Sequence, residues 1–197
     1  MAAKEVIKVL IADDHAIVRE GLKQILADSS DIVVAGNAEN GFDAIKLARR
    51  GGYAVILLDI SLPDRNGIEV LKQLRKECPK IAVLMLSMYV EPQYAVMAMK
   101  AYANAYLTKD TVPDELVAAI RCVAAGGHYV SQRTAADVLM RMGKQDEPSL
   151  HESLSQRERH IMMKIVRGQS LTEIGVQMSL SVKTVSTYRT RLLQKGE

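Results

Sequence analysis

The sequence predicts an α/β chain in which a doubly wound, parallel five-stranded sheet is followed by a small all-α unit. Three observations carry this. Short apolar runs alternate five times with stretches whose apolar residues recur at helical spacing, the pattern of a parallel sheet covered by helices on both faces. Several of those runs end in a carboxylate, hydroxyl or ammonium side chain. The remaining residues form a basic piece with helix-start signals in close succession.

The elements follow in order. Val6–Ala12 reads as the first strand and stops at Asp13-Asp14. His15–Asp28 then reads as a helix, with Ile17, Val18, Leu22, Ile25 and Leu26 on one face, and Asp14 is a candidate cap for it. Asp31–Gly36 is the second strand, and Asn40–Arg50 the second helix, closed by Gly51-Gly52. The third strand, Tyr53–Asp59, has an unbroken apolar centre from Val55 to Leu58, as a strand buried on both faces requires. Leu62–Gly67 is a loop punctuated by Pro63 and Gly67, and a helix runs on to about Glu77. Lys80–Ser87 is the fourth strand and Glu91–Ala101 the fourth helix. Asn104–Leu107 is the fifth strand, with Thr108-Lys109 at its end, and Pro113 suits the first turn of a helix to Ala125.

Gly126–Val130 interrupts that helix. An extra helix is expected over Ser131–Met142, with Ala135, Val138, Leu139 and Met142 on one face, and Gly143–Glu152 reads as a polar linker. The expected division is therefore residues 1–127, then 128–152 as extra helix and linker, then 153–197.

Bulk properties narrow the function. Two cysteines, Cys78 and Cys122, define no disulfide framework, so a reducing compartment is expected. No eighteen apolar residues run together, and the start of the chain lacks a signal-peptide core, so neither a membrane span nor secretion is expected. The ten methionines are scattered over apolar faces as core fillers. Charge is uneven. Residues 1–125 carry 15 Lys and Arg against 16 Asp and Glu, whereas residues 151–197 carry 8 against 4. The basic piece points toward nucleic acid, or else presents a solvated charged face.

Ligands of open α/β sheets sit outside the carboxyl ends of the strands. Here those ends bring Asp13, Asp14, Asp59, Ser87 and Lys109. Three clustered carboxylates repel one another unless a cation neutralises them, and hard oxygen donors with room for water suit Mg²⁺. As a set, the residues fit an anionic group: Asp59 as nucleophile, the acidic pair on the metal, Ser87 and Lys109 on the incoming oxygens. His15 reads as a surface residue.

In the basic piece, Ser155–Glu158 and Ser170–Glu173 both have capping-box spacing, and Gly168 stands where a helix C-terminus belongs. Ile161, Ile165 and Val166 give one apolar face; Leu171, Ile174 and Met178 give another. Ser181 can cap a third helix in which Val182, Val185 and Leu192 face inward. Lys183, Thr184, Ser186, Thr187, Tyr188, Arg189 and Arg191 then supply the opposite surface, which fits a helix-turn-helix. The alternative is a small helical dimerisation module.

Residues 5 to about 125 resemble the receiver domain of bacterial two-component response regulators. The matching residues are Asp13-Asp14, Asp59 with Leu62-Pro63 and Gly67, then Ser87, Tyr106 and Lys109. The resemblance implies a flavodoxin-like fold with strand order 2-1-3-4-5. It implies that Asp59 accepts a phosphoryl group from a sensor histidine kinase. It also implies Mg²⁺ held by Asp14, Asp59 and the Ser61 backbone carbonyl, with Asp13 acting through water, and Ser87 and Tyr106 as a switch pair. Where related chains carry two glycines before the last strand, this one has Tyr102 and Ala105, so a different local backbone is expected there.

The pattern Leu154-Ser155-x-Arg157-Glu158, then Glu173-Ile174, Leu180-Ser181 and Thr184-Val185-Ser186, resembles the LuxR-type DNA-binding domain, with Tyr188 where relatives often have His. Together the two resemblances imply a NarL/FixJ-type regulator. That is a cytoplasmic protein whose phosphorylation controls binding to a double-stranded DNA operator, as a homodimer when phosphorylated, and it is not expected to be an enzyme. Relatives carry a fourth helix after the third. Ending at Gly196-Glu197, the chain is expected to bind DNA weakly, with a loosely stable C-terminal domain. Two rivals are a phosphohydrolase, disfavoured by Ser61 standing where a second acid would be needed, and a dimerising signalling adaptor that does not bind DNA effectively.

Overall fold

The structure is a computed structural model that describes residues 6–88, 92–131, 135, 161, 164–165, 169–178 and 180–195, the side chains of residues 92, 189 and 191–195 excepted. The chain divides into two compact units, residues 1–144 and 145–197.

The first unit runs β1 (Ile7–Ala12), α1 (Ala16–Ala27), β2 (Ile32–Ala38), α2 (Gly41–Arg50), β3 (Val55–Asp59), α3 (Gly67–Glu77), β4 (Ala82–Ser87), α4 (Pro92–Lys100), β5 (Ala105–Thr108), α5 (Pro113–Ala124) and β6 (Tyr129–Val130). Every strand pairing is parallel, and the order is β2-β1-β3-β4-β5-β6. The 2-1-3-4-5 order is as expected; the count of five strands is corrected to six. β6 pairs Tyr129 with Ala105 and Val130 with Tyr106, where the sequence shows only a break after a helix. Two residues are too short to display a period.

Alternation along the strands assigns the two buried faces. Leu10, Ala12, Ile56, Leu58, Val83, Met85 and Tyr106 form one core with α2, α3 and α4, through Ala44, Ile45, Val70, Leu71, Leu74, Ala95 and Ala98. Val9, Ile11, Val55, Leu57, Leu84, Leu86, Ala105 and Leu107 form the other with α1 and α5, through Leu22, Leu26, Leu116, Ala119, Ile120 and Val123. β3 and β4 are buried along their whole length, which is why they read as unbroken apolar runs.

Helix starts are set by local chemistry. Asn40 and Asn66 cap α2 and α3, accepting from the Asp43 and Ile68 N–H groups at 2.8 Å each. Asp14 does not cap α1. The N-cap position is His15, without a side-chain cap bond, which leaves the Asp14 carboxylate outside the helix. The predicted helix there is one residue too long at each end.

The end of α4 answers the question of the two missing glycines. The Ala103 N–H bonds to the Ala98 carbonyl and the Tyr102 N–H to that of Met99, which is the Schellman arrangement with Tyr102 at its left-handed position. Tyr102 has φ +65°, alone among the described non-glycine residues. The backbone of the turn is therefore the one a glycine would favour, held by a tyrosine; Ala105 lies in β5 with ordinary pairing. Tyr102 is 77% exposed, so little packing offsets the strain. Tyr102→Gly should stabilise the receiver by about 1 kcal/mol, read as a higher urea midpoint at unchanged slope; a lower midpoint would contradict this.

In the second unit, α6 (Leu171–Gln177) and α7 (Val182–Lys195) are described. A full capping box starts α6, with Ser170 and Glu173 exchanging side-chain-to-backbone bonds. A turn closed by the Leu180 N–H on the Gly175 carbonyl at 2.8 Å leads into α7, which Ser181 caps by accepting from the Thr184 N–H at 3.1 Å. A Cβ on Gly175 would come within 2.8 Å of the Leu180 carbonyl oxygen, so this turn needs glycine. Ile161, Ile174 and Val185 are buried together, with Ile165, Leu171, Met178, Leu180 and Tyr188 packed around them. Two expectations change here. Val182 is 45% exposed, not inward-facing, and Tyr188 packs on the core, not on the opposite surface. Of the predicted helix over Ser131–Met142 only Ser131 and Ala135 are described, with the Ala135 N–H on the Ser131 carbonyl at 2.9 Å. The linker, the Ser155–Glu158 start, Gly168, and the side chains of Arg189, Arg191 and Leu192 lie outside the described residues.

Candidate functional site

Strand register brings the predicted residues together. Ala12 pairs with Leu58, so Asp13 and Asp59 leave the sheet level with each other. Asp59 pairs with Leu86, and Ser87 with Thr108, which sets Ser87 and Lys109 beside them. Asp13, Asp59 and Ser87 are buried, whereas Asp14 reaches solvent. Lys109 places its ammonium 2.8 Å from Asp59 Oδ2, as a hydrogen bond, and 2.6 Å from Asp13 Oδ2, as an ion pair without hydrogen-bond geometry. The side chain of Lys109 is only 6% exposed. The Ser61 N–H donates to Asp59 Oδ1 at 3.1 Å.

Charge sets the behaviour of this cluster. Burial raises the Asp59 pKa above the ordinary carboxylate value; Lys109 opposes this and Asp13 adds to it. Burial works against the Lys109 ammonium, but Asp59 and Asp13 outweigh it and raise its pKa, so it stays charged. One ammonium faces three carboxylates, which leaves the site short of positive charge. Carboxylate oxygens of Asp13, Asp14 and Asp59 and a ring nitrogen of His15 all lie within 4.8 Å of one another. This acidic pocket can hold a metal ion, and its oxygen-rich donor set fits a hard divalent cation.

Several neighbours escaped the sequence reading. His15 is exposed, as expected, yet it also borders the pocket: its N–H donates to Asp13 Oδ1 at 2.8 Å, and its Nδ1 lies 2.8 Å from Asp14 Oδ1. Arg19 donates to the Asp13 backbone carbonyl from α1. Asp64 accepts from the Gly41 and Phe42 N–H groups at 2.7 and 2.9 Å, tying the loop after β3 to the start of α2. Gly67 reads in the sequence as a loop residue and as part of the receiver pattern, and the structure adds the contact that requires it. Its N–H bonds to the Ile60 carbonyl, and a Cβ there would overlap the Asp59 carbonyl oxygen. Of these, only Asp64 reaches a segment too far along the chain for any spacing rule to link.

Tyr106 is fully buried, in β5 between Met85 and Val130. In the second unit, Lys183, Ser186, Thr187 and Thr190 are exposed along α7, while Thr184 is half-buried with its hydroxyl 2.7 Å from Ser181 Oγ.

A buried acidic pocket at the carboxyl edge of a parallel sheet ordered 2-1-3-4-5, on a chain that also carries a helix-turn-helix, is the arrangement of response regulators. The family comparisons agree. Residues 9–121 match the response regulator receiver domain, and residues 152–195 match the bacterial regulatory proteins of the luxR family. The chain is 39% identical to response regulator UvrY of Escherichia coli over 194 residues, covering 96% of this chain and 87% of UvrY. It is 37% identical to response regulator GacA of Pseudomonas aeruginosa, covering 96% and 89%. A crystal structure of a LuxR-family two-component response regulator from Aurantimonas, 28% identical, superposes with a TM-score of 0.66 over 71% of this chain and all of that one. The chain belongs to the NarL/FixJ-type response regulators of two-component systems, transcription regulators with a receiver and a LuxR-type DNA-binding domain. Among the described residues no helix is long and apolar enough to cross a membrane.

Proposed function

We propose that Asp59 is the phosphoacceptor, and that phosphoryl transfer to it from a sensor histidine kinase controls operator binding by the second unit. The observation that carries this is the buried Asp59 carboxylate between Lys109 and Asp13 at the open edge of the sheet. An Asp59 oxygen attacks phosphorus as its bond to the nitrogen of the kinase's phosphoimidazole, protonated on the other ring nitrogen, breaks; neutral imidazole leaves and an acyl phosphate forms on Asp59. Lys109 is placed to take up charge on the phosphoryl oxygens, and the Ser87 hydroxyl to bond one of them. Asp14, Asp59 and the Ser61 carbonyl would hold Mg²⁺, with Asp13 acting through water. When bound, that ion offsets the negative charge gathered at the site.

Tyr106 is the proposed readout. It lies one strand from Ser87 and pairs with Val130 of β6, the last strand before the connection in the sequence. We take residues 1–127 as the receiver proper, 128–152 as the connection and 153–197 as the DNA-binding domain. The partners are a sensor kinase, a double-stranded operator and a second copy of the phosphorylated chain, which makes the location cytoplasmic.

The site is tested by incubation with acetyl phosphate, which should add one phosphoryl group only when Mg²⁺ is present. Asp14→Ala should lose this labelling although Asp59 is intact. Labelling undiminished by a chelator would overturn the metal assignment.

For DNA, α7 enters the major groove, with Lys183 and Arg189 as the principal contacts and Thr184, Ser186, Thr187 and Arg191 around them; Tyr188, packed on the core, is left out of the contacting set. If Lys183 meets phosphate, Lys183→Ala should weaken all sequences alike and lower the salt slope by about one. Unchanged binding in a Lys183→Ala, Arg189→Ala double variant would favour the adaptor that does not bind DNA.

A further inference from the structure

Arg19 is an anomaly on α1. Its side chain is only 11% exposed, yet it makes no contact with the carboxylates of the acidic pocket that any described bond records. One arm, Nη1, donates to the Asp13 backbone carbonyl at 2.8 Å; the other, Nη2, donates to Glu39 Oε1 at 2.5 Å. Burying a guanidinium in this way is costly and is a poor device for stability alone.

The bonds around Asp13 show what it achieves. The Asp13 N–H is held by the Ala38 carbonyl at 3.1 Å, its Oδ1 by the His15 N–H, and its Oδ2 faces Lys109. Its carbonyl is held by Arg19. That carbonyl belongs to the peptide plane that runs into Asp14, and a planar peptide turns as one piece. Asp14 itself is solvent-accessible, outside α1, and its carboxylate is met by the largely exposed His15 ring. The direction in which Asp14 leaves the main chain therefore depends on the Arg19 bond.

We propose that Arg19 is a positioning residue for the divalent-cation site: by fixing the Asp13–Asp14 peptide plane it aims the Asp14 carboxylate into the pocket. Glu39, across the loop that follows β2, holds the far arm of the guanidinium and so sets its angle. The forked guanidinium serves two acceptors at once, which a single ammonium does not reproduce. This inference rests on the reading of the pocket as a Mg²⁺ site.

The sign of the effect separates positioning from simple charge. Removing a nearby positive charge would, by itself, tighten cation binding. Loss of a supporting bond behind a metal ligand weakens it, typically by about 10- to 100-fold. The test is a Mg²⁺ titration of the full, unphosphorylated chain followed by amide NMR shifts, with the acetyl phosphate labelling rate measured separately at saturating Mg²⁺. Arg19→Ala should weaken Mg²⁺ binding about tenfold, while the labelling rate at saturation stays within about twofold of wild type. Arg19→Lys should recover less than half of the lost affinity on a logarithmic scale, and Glu39→Gln, which keeps an acceptor, should remain near wild type. If Arg19→Ala fails to fold, the isosteric Arg19→Met takes its place with the same expectation.

A folded Arg19→Ala or Arg19→Met that binds Mg²⁺ as tightly as wild type, or more tightly, overturns the proposal. So does full rescue by Arg19→Lys, which would assign the role to charge, or a labelling rate that stays low at saturating Mg²⁺, which would assign it to general loss of structure. Wild-type protein that shows no Mg²⁺ titration would instead overturn the metal site itself.

Discussion

Lys109→Ala should destabilise the receiver by about 3 kcal/mol at neutral pH when divalent ions are chelated. Among the described residues its ammonium alone lies within ion-pairing distance of both Asp13 and Asp59; both carboxylates are buried, and the Lys109 side chain is only 6% exposed. Removing it leaves two buried carboxylates facing each other without compensation. The sign of the pH dependence follows from Asp59, whose pKa is already raised, first by burial and then by Asp13, with Lys109 as the opposing influence. Without Lys109 it rises further. The folded variant then takes up a proton more readily than the unfolded chain, so the deficit should shrink as pH falls from neutral through the folded-state pKa. Urea denaturation in chelator at neutral and mildly acid pH reads both effects, and added Mg²⁺ should restore part of the loss. The same variant should still be labelled on Asp59 but should lose the increase in operator binding that labelling causes. Wild-type stability in chelator, or an intact DNA response, would show that Lys109 neither holds the pocket nor reads the phosphoryl group.

Gly67→Ala should cost about 3 kcal/mol and slow Asp59 labelling at least tenfold at saturating Mg²⁺ and phosphodonor. The new Cβ would overlap the Asp59 carbonyl oxygen and stand 2.8 Å from Ile60 Cα, and both are main-chain atoms that no rotamer change can clear. Relief requires either the end of β3 or the start of α3 to move, and the Gly67–Ile60 hydrogen bond of 2.8 Å joins the two. Asp59 moves with them. A contrast lies in α1, where a Cβ on Gly21 meets nothing within 4 Å. Gly21→Ala should therefore stabilise by about 0.5–1 kcal/mol. Equal effects at the two glycines would remove the steric account of Gly67.

Much of this architecture was legible because it repeats. β1, β3 and β4 are runs rich in Val, Ile and Leu that are buried on both faces, and the polar residues at the ends of β1, β3, β4 and β5 stand where parallel register gathers them. What stayed hidden has no period. β6 is two residues long and is a strand only because Ala105 and Tyr106 present an edge to it. Arg19 sits among the polar positions of an amphipathic helix, and nothing local distinguishes it from Glu20 or Lys23. Asp64 and Gly67 act on backbone that the chain reaches only after folding. Tyr102 shows the opposite error. Replacement of a glycine suggested a changed backbone, whereas the Schellman turn imposes its left-handed conformation on tyrosine. In α7 the apolar positions Val182 and Tyr188 exchange their expected environments, because the turn at Gly175–Leu180 sets the angle at which the helix meets its core.

The central claim is that a phosphoryl group on Asp59 controls DNA binding. Its most direct test is operator binding by the full chain, measured at fixed salt with and without acetyl phosphate and Mg²⁺, for wild type and Asp59→Asn side by side. Wild type should bind more tightly after treatment and carry one phosphoryl group on Asp59, whereas Asp59→Asn should carry none and show no change in affinity. An Asp59→Asn chain that is labelled and tightens on DNA as wild type does would contradict the account.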